Sequence, residues 1–231
     1  MEIQTTSSAK VQSTVLIYGP SKSGKTTLAK TCPDCIIADV DMGLSSLRDM
    51  DIPYVPIRKT EDILEFLESA KRNFDYPDGN GFKTIIIDDL TELGSLWLRL
   101  NKNGYKNLMQ AYGALADWTL ELIHGFRNLS EQGFNIVFIC KEEKIKDHTT
   151  GGLIWSPAFP GQAIQNMLDY LVGEVYHMEQ WVDPADETQQ KHRVLRTVRT
   201  PQIAAGSRFG KFGELEFADL GSMFDRMKNL G

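Results

Sequence analysis

Val15-Leu16-Ile17-Tyr18 runs without a break into Gly19-Pro20-Ser21-Lys22-Ser23-Gly24-Lys25-Thr26. Four apolar residues that stop at a glycine read as a short buried strand. Beyond the turn, Thr26 to Thr31 reads as a short helix, ended by Pro33-Asp34. Strand, glycine turn and helix in this order, with Gly-x-x-x-x-Gly-Lys-Thr across the junction, describe a phosphate-binding loop. The chemistry requires these residue types. Gly19 and Gly24 let the backbone curl so that its N–H groups face phosphate oxygens, and the helix start adds the positive end of its dipole. Lys25 would reach the β- and γ-phosphates, and Thr26 would offer its hydroxyl to Mg2+. The expected cofactors are therefore ATP and Mg2+, with Pro20, Ser21, Lys22, Ser23 and Thr27 completing the loop around the phosphates. The plainer reading is a glycine turn that merely precedes a helix.

Further apolar runs follow at regular intervals: Cys35 to Asp39, Thr84 to Asp88, and Asn135 to Cys140. Each is continuous and not alternating, as expected of strands buried on both faces. Ile52 to Ile57 looks extended, and Pro53 and Pro56 confine it to an edge. Between these runs, Thr60 is expected to cap a helix with the stripe Ile63, Leu64, Phe66, Leu67, Ala70 and Phe74. Asp78-Gly79-Asn80-Gly81 signals a turn. Leu108 to Leu129 reads as a long helix. Strands alternating with helices predict an α/β fold, a mostly parallel sheet flanked by helices. Leu171 to Val182 and His192 to Thr200 read as two longer strands around a polar turn, an antiparallel hairpin extension within residues 171–213. Residues 1–231 read as one domain, with a polar tail over 1–12 and a terminal helix over 219–230.

Asp88 ends the Ile85-Ile86-Ile87 strand. A carboxylate there, downstream of a phosphate loop, is placed to hold Mg2+. A general base needs a further carboxylate near the γ-phosphate. Asp39, Asp41 and Asp89 all qualify by position. For Asp41 and Asp89 the alternative is a solvated strand-end carboxylate, and Asp39 fits a structural role better.

The loop Gly19-Pro20-Ser21-Lys22-Ser23-Gly24-Lys25-Thr26-Thr27 resembles that of RecA-type recombinases, and the resemblance continues in the same order along residues 11–213. Ile37-Ala38-Asp39-Val40-Asp41 is similar to the segment that ends in their catalytic glutamate, with Asp41 at that position. Thr84 to Leu90 resembles their Walker B strand. Phe138-Ile139-Cys140-Lys141 falls where they end a strand in a glutamine that senses the γ-phosphate. The small size resembles the phage nucleotide-binding proteins that keep only this core, including the Sak-type single-strand annealing proteins. The resemblance implies a RecA-like ATPase core, catalytic roles for Lys25, Asp41, Asp88 and Lys141, and a basic residue, Arg196 or Arg199, acting in a neighbour's site. Two departures stand out: Asp41 is a methylene shorter than glutamate, and Lys141 is a cation where the family has an amide.

The same resemblance implies two loops that bind single-stranded DNA. The first would lie near Leu100 to Tyr112. No acid occurs from Leu93 to Ala116, whereas Arg99, Lys102 and Lys106 are basic, and Tyr105 and Tyr112 offer faces for base stacking. The second would run from Lys141 to Pro160, a long loop carrying Trp155 and Phe159 as exposed aromatics. The alternatives are a solvated loop with core tyrosines and a lid over the nucleotide. Lys191 to Lys211 is also free of acids, and either a hairpin's solvated face or the inserted basic element explains it.

Composition bounds the rest. The 231 residues carry 31 acidic and 25 basic side chains, a formal charge of −6, which argues against coating duplex DNA by bulk charge but leaves room for a local basic groove. The N-terminus lacks the apolar core of a signal peptide, and no run is apolar enough for a membrane helix, so no membrane partner and a cytoplasmic location (host cytoplasm for a phage protein) are expected. Three cysteines argue against a disulfide framework, and Cys32-Pro33-Asp34-Cys35 lacks the companions of a zinc site. His148, His177 and His192 show no ligand spacing. The leading expectation is a Mg2+-dependent ATPase that binds single-stranded DNA in phage-type recombination or replication. Its partners would be further copies in a ring or filament, and a single-strand binding protein. The rivals are a non-catalytic, ATP-gated helicase loader and a P-loop small-molecule kinase.

Overall fold

The computed structural model describes residues 13–72, 81–147, 151–182 and 188–230. The strands are β1 Thr14–Tyr18, β2 Cys35–Asp39, β3 Tyr54–Pro56, β4 Thr84–Asp88, β5 Asn135–Cys140, β6 Glu142–Lys146, β7 Leu153–Pro157, β8 Glu174–Val182, β9 Lys191–Arg196, β10 Gly206–Ser207 and β11 Leu215–Phe217. The helices are α1 Thr60–Lys71, α2 Leu90–Asn101, α3 Leu108–Glu131, two single turns (α4 Gln162–Gln165, α5 Leu168–Leu171) and α6 Leu220–Leu230.

Nine strands form one sheet in the order β11-β9-β8-β1-β5-β4-β2-β3, with β10 against β8. From β8 through β3 every neighbouring pair is parallel. The hairpin β8–β9 and strand β11 add antiparallel pairs at one end. This is the α/β architecture with an antiparallel extension that the apolar runs predict, and β3, with its prolines, lies at the opposite edge.

Alternation along each strand sends side chains to two separate layers. Leu16, Tyr18, Ile85, Ile87 and Phe138 face one layer, packed by Phe66 of α1, Leu93 of α2 and Phe126 of α3. Val15, Ile17, Ile86, Val137 and Ile139 face the other, under Leu28 of a 3-10 turn over Thr26–Thr31 and Phe224 of α6. Helices on both faces leave the carboxyl ends of β1, β2, β4 and β5 free to carry loops, where open α/β sheets place their ligands.

Several expectations need correction. Thr60 is the first residue of α1 and not its cap: the backbone N–H groups of Arg58 and Lys59 bond the Asp62 carboxylate at 2.8 and 2.9 Å. The Leu100 to Tyr112 stretch is not a long loop, because α2 runs to Asn101, a 3-10 turn covers Lys102–Gly104, and α3 starts at Leu108. Lys141 to Pro160 is largely a two-stranded ribbon, β6 against β7. The stretch from Leu171 begins with the end of α5, and β8 starts at Glu174; β9 ends at Arg196. Phe74 and residues 78–80 of the expected turn lie outside the described residues, as do His148 and residues 183–187 of the β8–β9 turn.

Candidate nucleotide site

The phosphate loop joins β1 to the 3-10 turn over Thr26–Thr31. Gly24 has φ +102°, a backbone state that favours glycine, and a Cβ there would come within 2.7 Å of the Arg193 guanidinium carbon. Gly19 is confined in the same manner, since its Cβ would lie 2.9 Å from the Met178 carbonyl of β8. Inside the loop, Lys25 Nζ donates to the carbonyls of Gly19 and Pro20 at 2.7 and 2.9 Å. Burial holds the Lys25 ammonium below the usual lysine range, against the pull of Asp89, Asp88 and Glu142. Ser23 is buried, and its hydroxyl has no hydrogen-bond partner. A buried orphan hydroxyl inside a curl of glycines and a lysine is a donor set suited to phosphate oxygens.

Thr26 Oγ1 donates to Asp88 Oδ2 at 2.6 Å. Burial lifts the Asp88 carboxyl to about 6, with the Asp41 and Asp39 charges adding and the Thr26 bond opposing. A hydroxyl and a carboxylate already in contact are the pair that phosphate-bound Mg2+ uses, since Mg2+ takes few protein ligands and keeps water and phosphate for the rest. Asp89 is buried as well and pushed up to about 7 by that burial, and its Oδ1 caps α2 by accepting from the Glu92 N–H at 2.5 Å. That bond engages Oδ1 in a structural duty, while Asp89 also lines the cleft. Asp39 is tied to Arg58, whose Nη2 lies 3.1 Å from Oδ2. Asp41 is exposed and lines the cleft. Lys141 lines it too, its Nζ 2.8 Å from Glu92 Oε2, and that bond keeps its ammonium above the usual range. The cleft encloses about 780 Å3, within the ~300–1,000 Å3 of ligand sites.

Residues 12–209 match the family model described as an AAA domain. The chain belongs to that family. No curated protein matches the chain. Membership makes it a P-loop domain of the nucleotide-binding ATPase kind, in agreement with the loop, Thr26–Asp88 and the sheet order. No helix among the described residues of this AAA domain is long and apolar enough to cross a membrane.

Two charged side chains of the cleft lie outside the expected set. Arg193, on β9, reaches back over the loop, and its Nη1 donates to Thr27 Oγ1 at 2.9 Å. Glu142, first residue of β6, lines the same cleft. Arg193 lies 166 positions from Thr27, so no local pattern reveals it; its one signal is its place in the acid-free Lys191 to Lys211 segment. Arg196 and Arg199, expected in a neighbour's site, are engaged within this chain. Arg196 pairs with Glu179 and Glu214, and Arg199 with Asp147 at 3.2 Å.

The residues assigned to DNA fall into two groups. Arg99, Lys102, Tyr105 and Lys106 are exposed together around the α2–α3 turn, beside the exposed Leu108 and Met109. Trp155 does not join them: it lines the nucleotide cleft, with Lys144 Nζ 4.7 Å from its ring centre. Phe159 is buried, its ring filling the space above Gly94 of α2, so it offers no face for stacking. The expectation of two exposed aromatics there is thereby corrected, since a glycine on α2 admits one ring and the ribbon turns the other inward.

Proposed function

We propose that this AAA domain is a Mg2+-dependent ATPase that binds single-stranded DNA in phage-type recombination or replication and assembles head to tail. Helix α2 carries the proposal. It is capped by Asp89, next to Asp88, and its Glu92 holds Lys141; it ends at the acid-free turn with Arg99, Lys102, Tyr105 and Lys106. Twelve residues span about 18 Å at about 1.5 Å each. One rigid element thus has the nucleotide cleft at its start and a basic, aromatic surface at its end. Lysines and arginines contact phosphates, and tyrosine rings stack bases regardless of sequence, a combination suited to single strands.

Within the cleft, Lys25, Ser23 and the backbone of residues 19–25 would hold the triphosphate, and Thr26 with Asp88 would hold Mg2+. The metal would supply charge neutralisation of the phosphates. Asp41 would orient water and take its proton, and Lys141, anchored by Glu92, would register the γ-phosphate end. Arg193 supplies a cation from the same chain. For Arg196 to serve a neighbour it would have to release Glu179 and Glu214.

ATP turnover measured with and without a single-stranded oligonucleotide tests the whole reading. Stimulation by the oligonucleotide is expected. Binding of ATP without turnover favours a loader, and turnover that depends on an added nucleoside favours a kinase. Replacing Arg99, Lys102 and Lys106 together should flatten the salt dependence of binding in fluorescence anisotropy, by about 0.7 in log–log slope for each DNA phosphate no longer neutralised. A triple variant that keeps the full slope places the DNA elsewhere.

A further inference from the structure

A chain of charged side chains leads from the nucleotide cleft into the sheet. Glu142 Oε2 lies 2.9 Å from Nε2 of His177 on β8, and the other ring nitrogen, Nδ1, lies 3.1 Å from Glu179 Oε1. Arg196 on β9 grips Glu179, from Nε at 2.6 Å and from Nη2 at 3.2 Å, and also bonds Glu214. The imidazole is buried and packs on the Tyr18 ring of β1, with centroids 4.8 Å apart.

An imidazole with a carboxylate at each nitrogen donates to both only as a cation. In the neutral ring one nitrogen presents a lone pair, and the carboxyl facing it must then carry a proton. Glu179 is not that carboxyl. Arg196 grips it through Nε and Nη2, a fixed cation that favours its ionised form whatever the state of the ring. The exchangeable proton therefore belongs to the His177–Glu142 side, which opens on the cleft. The charge of Glu142 is felt there by Lys25 of the phosphate loop and by the Tyr18 phenol.

We propose that Glu142 and His177 form a proton-accepting pair in the wall of the nucleotide cleft, and that a nucleoside triphosphate loads a proton from solvent onto this pair when it binds. The inference rests on the nucleotide reading above. Phosphate charge beside Glu142 disfavours its ionised form, so the complex holds a proton more tightly than the free protein does. Net proton uptake on binding means, by linkage, that affinity falls as pH rises, by at most about tenfold per pH unit for one proton.

Calorimetric titration of the full chain with a non-hydrolysable ATP analogue and Mg2+, in two buffers of different ionisation enthalpy across about pH 6 to 8, counts the protons taken up. Protons that belong to the analogue are common to wild type and Glu142→Gln, so the difference isolates the pair. Wild type should take up more, by up to about one proton, and its affinity should depend more steeply on pH. Glu142 is partly exposed, so its glutamine variant leaves the core untouched, whereas replacing the buried His177 risks the fold and is not required. Equal proton counts overturn this inference alone. An absence of binding heat with any nucleotide overturns it together with the nucleotide reading.

Discussion

Replacing Asp88 by asparagine should make the protein more stable, not less, in metal-free buffer at alkaline pH. The carboxyl is only 5% exposed at the end of β4, and it is raised from 3.8 to about 6, first by burial and then by the Asp41 and Asp39 charges. A carboxyl raised in the native state contributes stability below its unfolded value and loses it as pH rises through the native one. Above about 6 the buried charge therefore opposes folding. A rise of about two units corresponds to about 3 kcal/mol at pH 8, and to about half of that at pH 5, where Asp88 is still mostly protonated when folded. Asparagine keeps the shape and still accepts from the Thr26 hydroxyl. Loss of the Asp88 charge also relieves Asp89, which the same charge raises, so the two effects share a sign. Urea denaturation with a chelator present, at pH 5 and pH 8, measures the margin. Asp88→Asn should gain over wild type by about 1.5 kcal/mol more at pH 8 than at pH 5. Mg2+ with an ATP analogue should then stabilise wild type and leave the variant nearly unchanged. A margin that is flat or shrinking with pH would refute the reasoning, because it would show that Asp88 bears no desolvation cost.

Lys25→Ala should lose most triphosphate affinity while its thermal unfolding stays cooperative, since Nζ bonds the loop's own carbonyls and packs no core; calorimetric titration with ATP checks it, and equal affinities remove Lys25 from the site. Asp41→Asn should still bind ATP but turn it over about 10²-fold or more slowly, the scale of a lost general base, and comparable turnover shows that Asp41 takes no proton. Arg193→Ala should weaken binding of the analogue without changing oligonucleotide binding measured in its absence. A variant with unchanged nucleotide affinity would show that the hydrogen bond to Thr27 carries nothing.

The buried strands are legible because burial on both faces leaves no choice of residue type. Cys35 to Asp39, Thr84 to Asp88 and Asn135 to Cys140 match the observed strands end for end. Helix α2 is easily overlooked because it follows β4 with no glycine or proline between them, and its lack of acids beyond Glu92 suggests a loop. Its signal is nonetheless present: Asp89 followed by Glu92 three positions later, then Leu90, Leu93, Leu96 and Trp97 at helical spacing. The β6–β7 ribbon is hidden for the opposite reason, since Glu142-Glu143-Lys144-Ile145-Lys146 is nearly all charge and shows no apolar alternation. The phosphate loop and Asp88 can be placed because they follow their strands directly. Arg193 and the His177–Glu142 pairing depend on how β8 and β9 lie beside β1, and no local pattern encodes that.

The position of β5 has a consequence for what the cleft can accept. It is paired to β1 on one flank and to β4 on the other, so the strand that launches the phosphate loop and the strand that ends in Asp88 stand two ladder spacings apart, about 9.5 Å. That gap is set like the jaws of a locked caliper. It cannot widen or narrow without tearing a fully buried ladder, so fit to different ligands must come from the length of the side chains that reach across it. Here Thr26 and Asp88 already touch across the gap. In such a frame one methylene more or less, as between an aspartate and a glutamate at position 41, is the natural unit of adjustment.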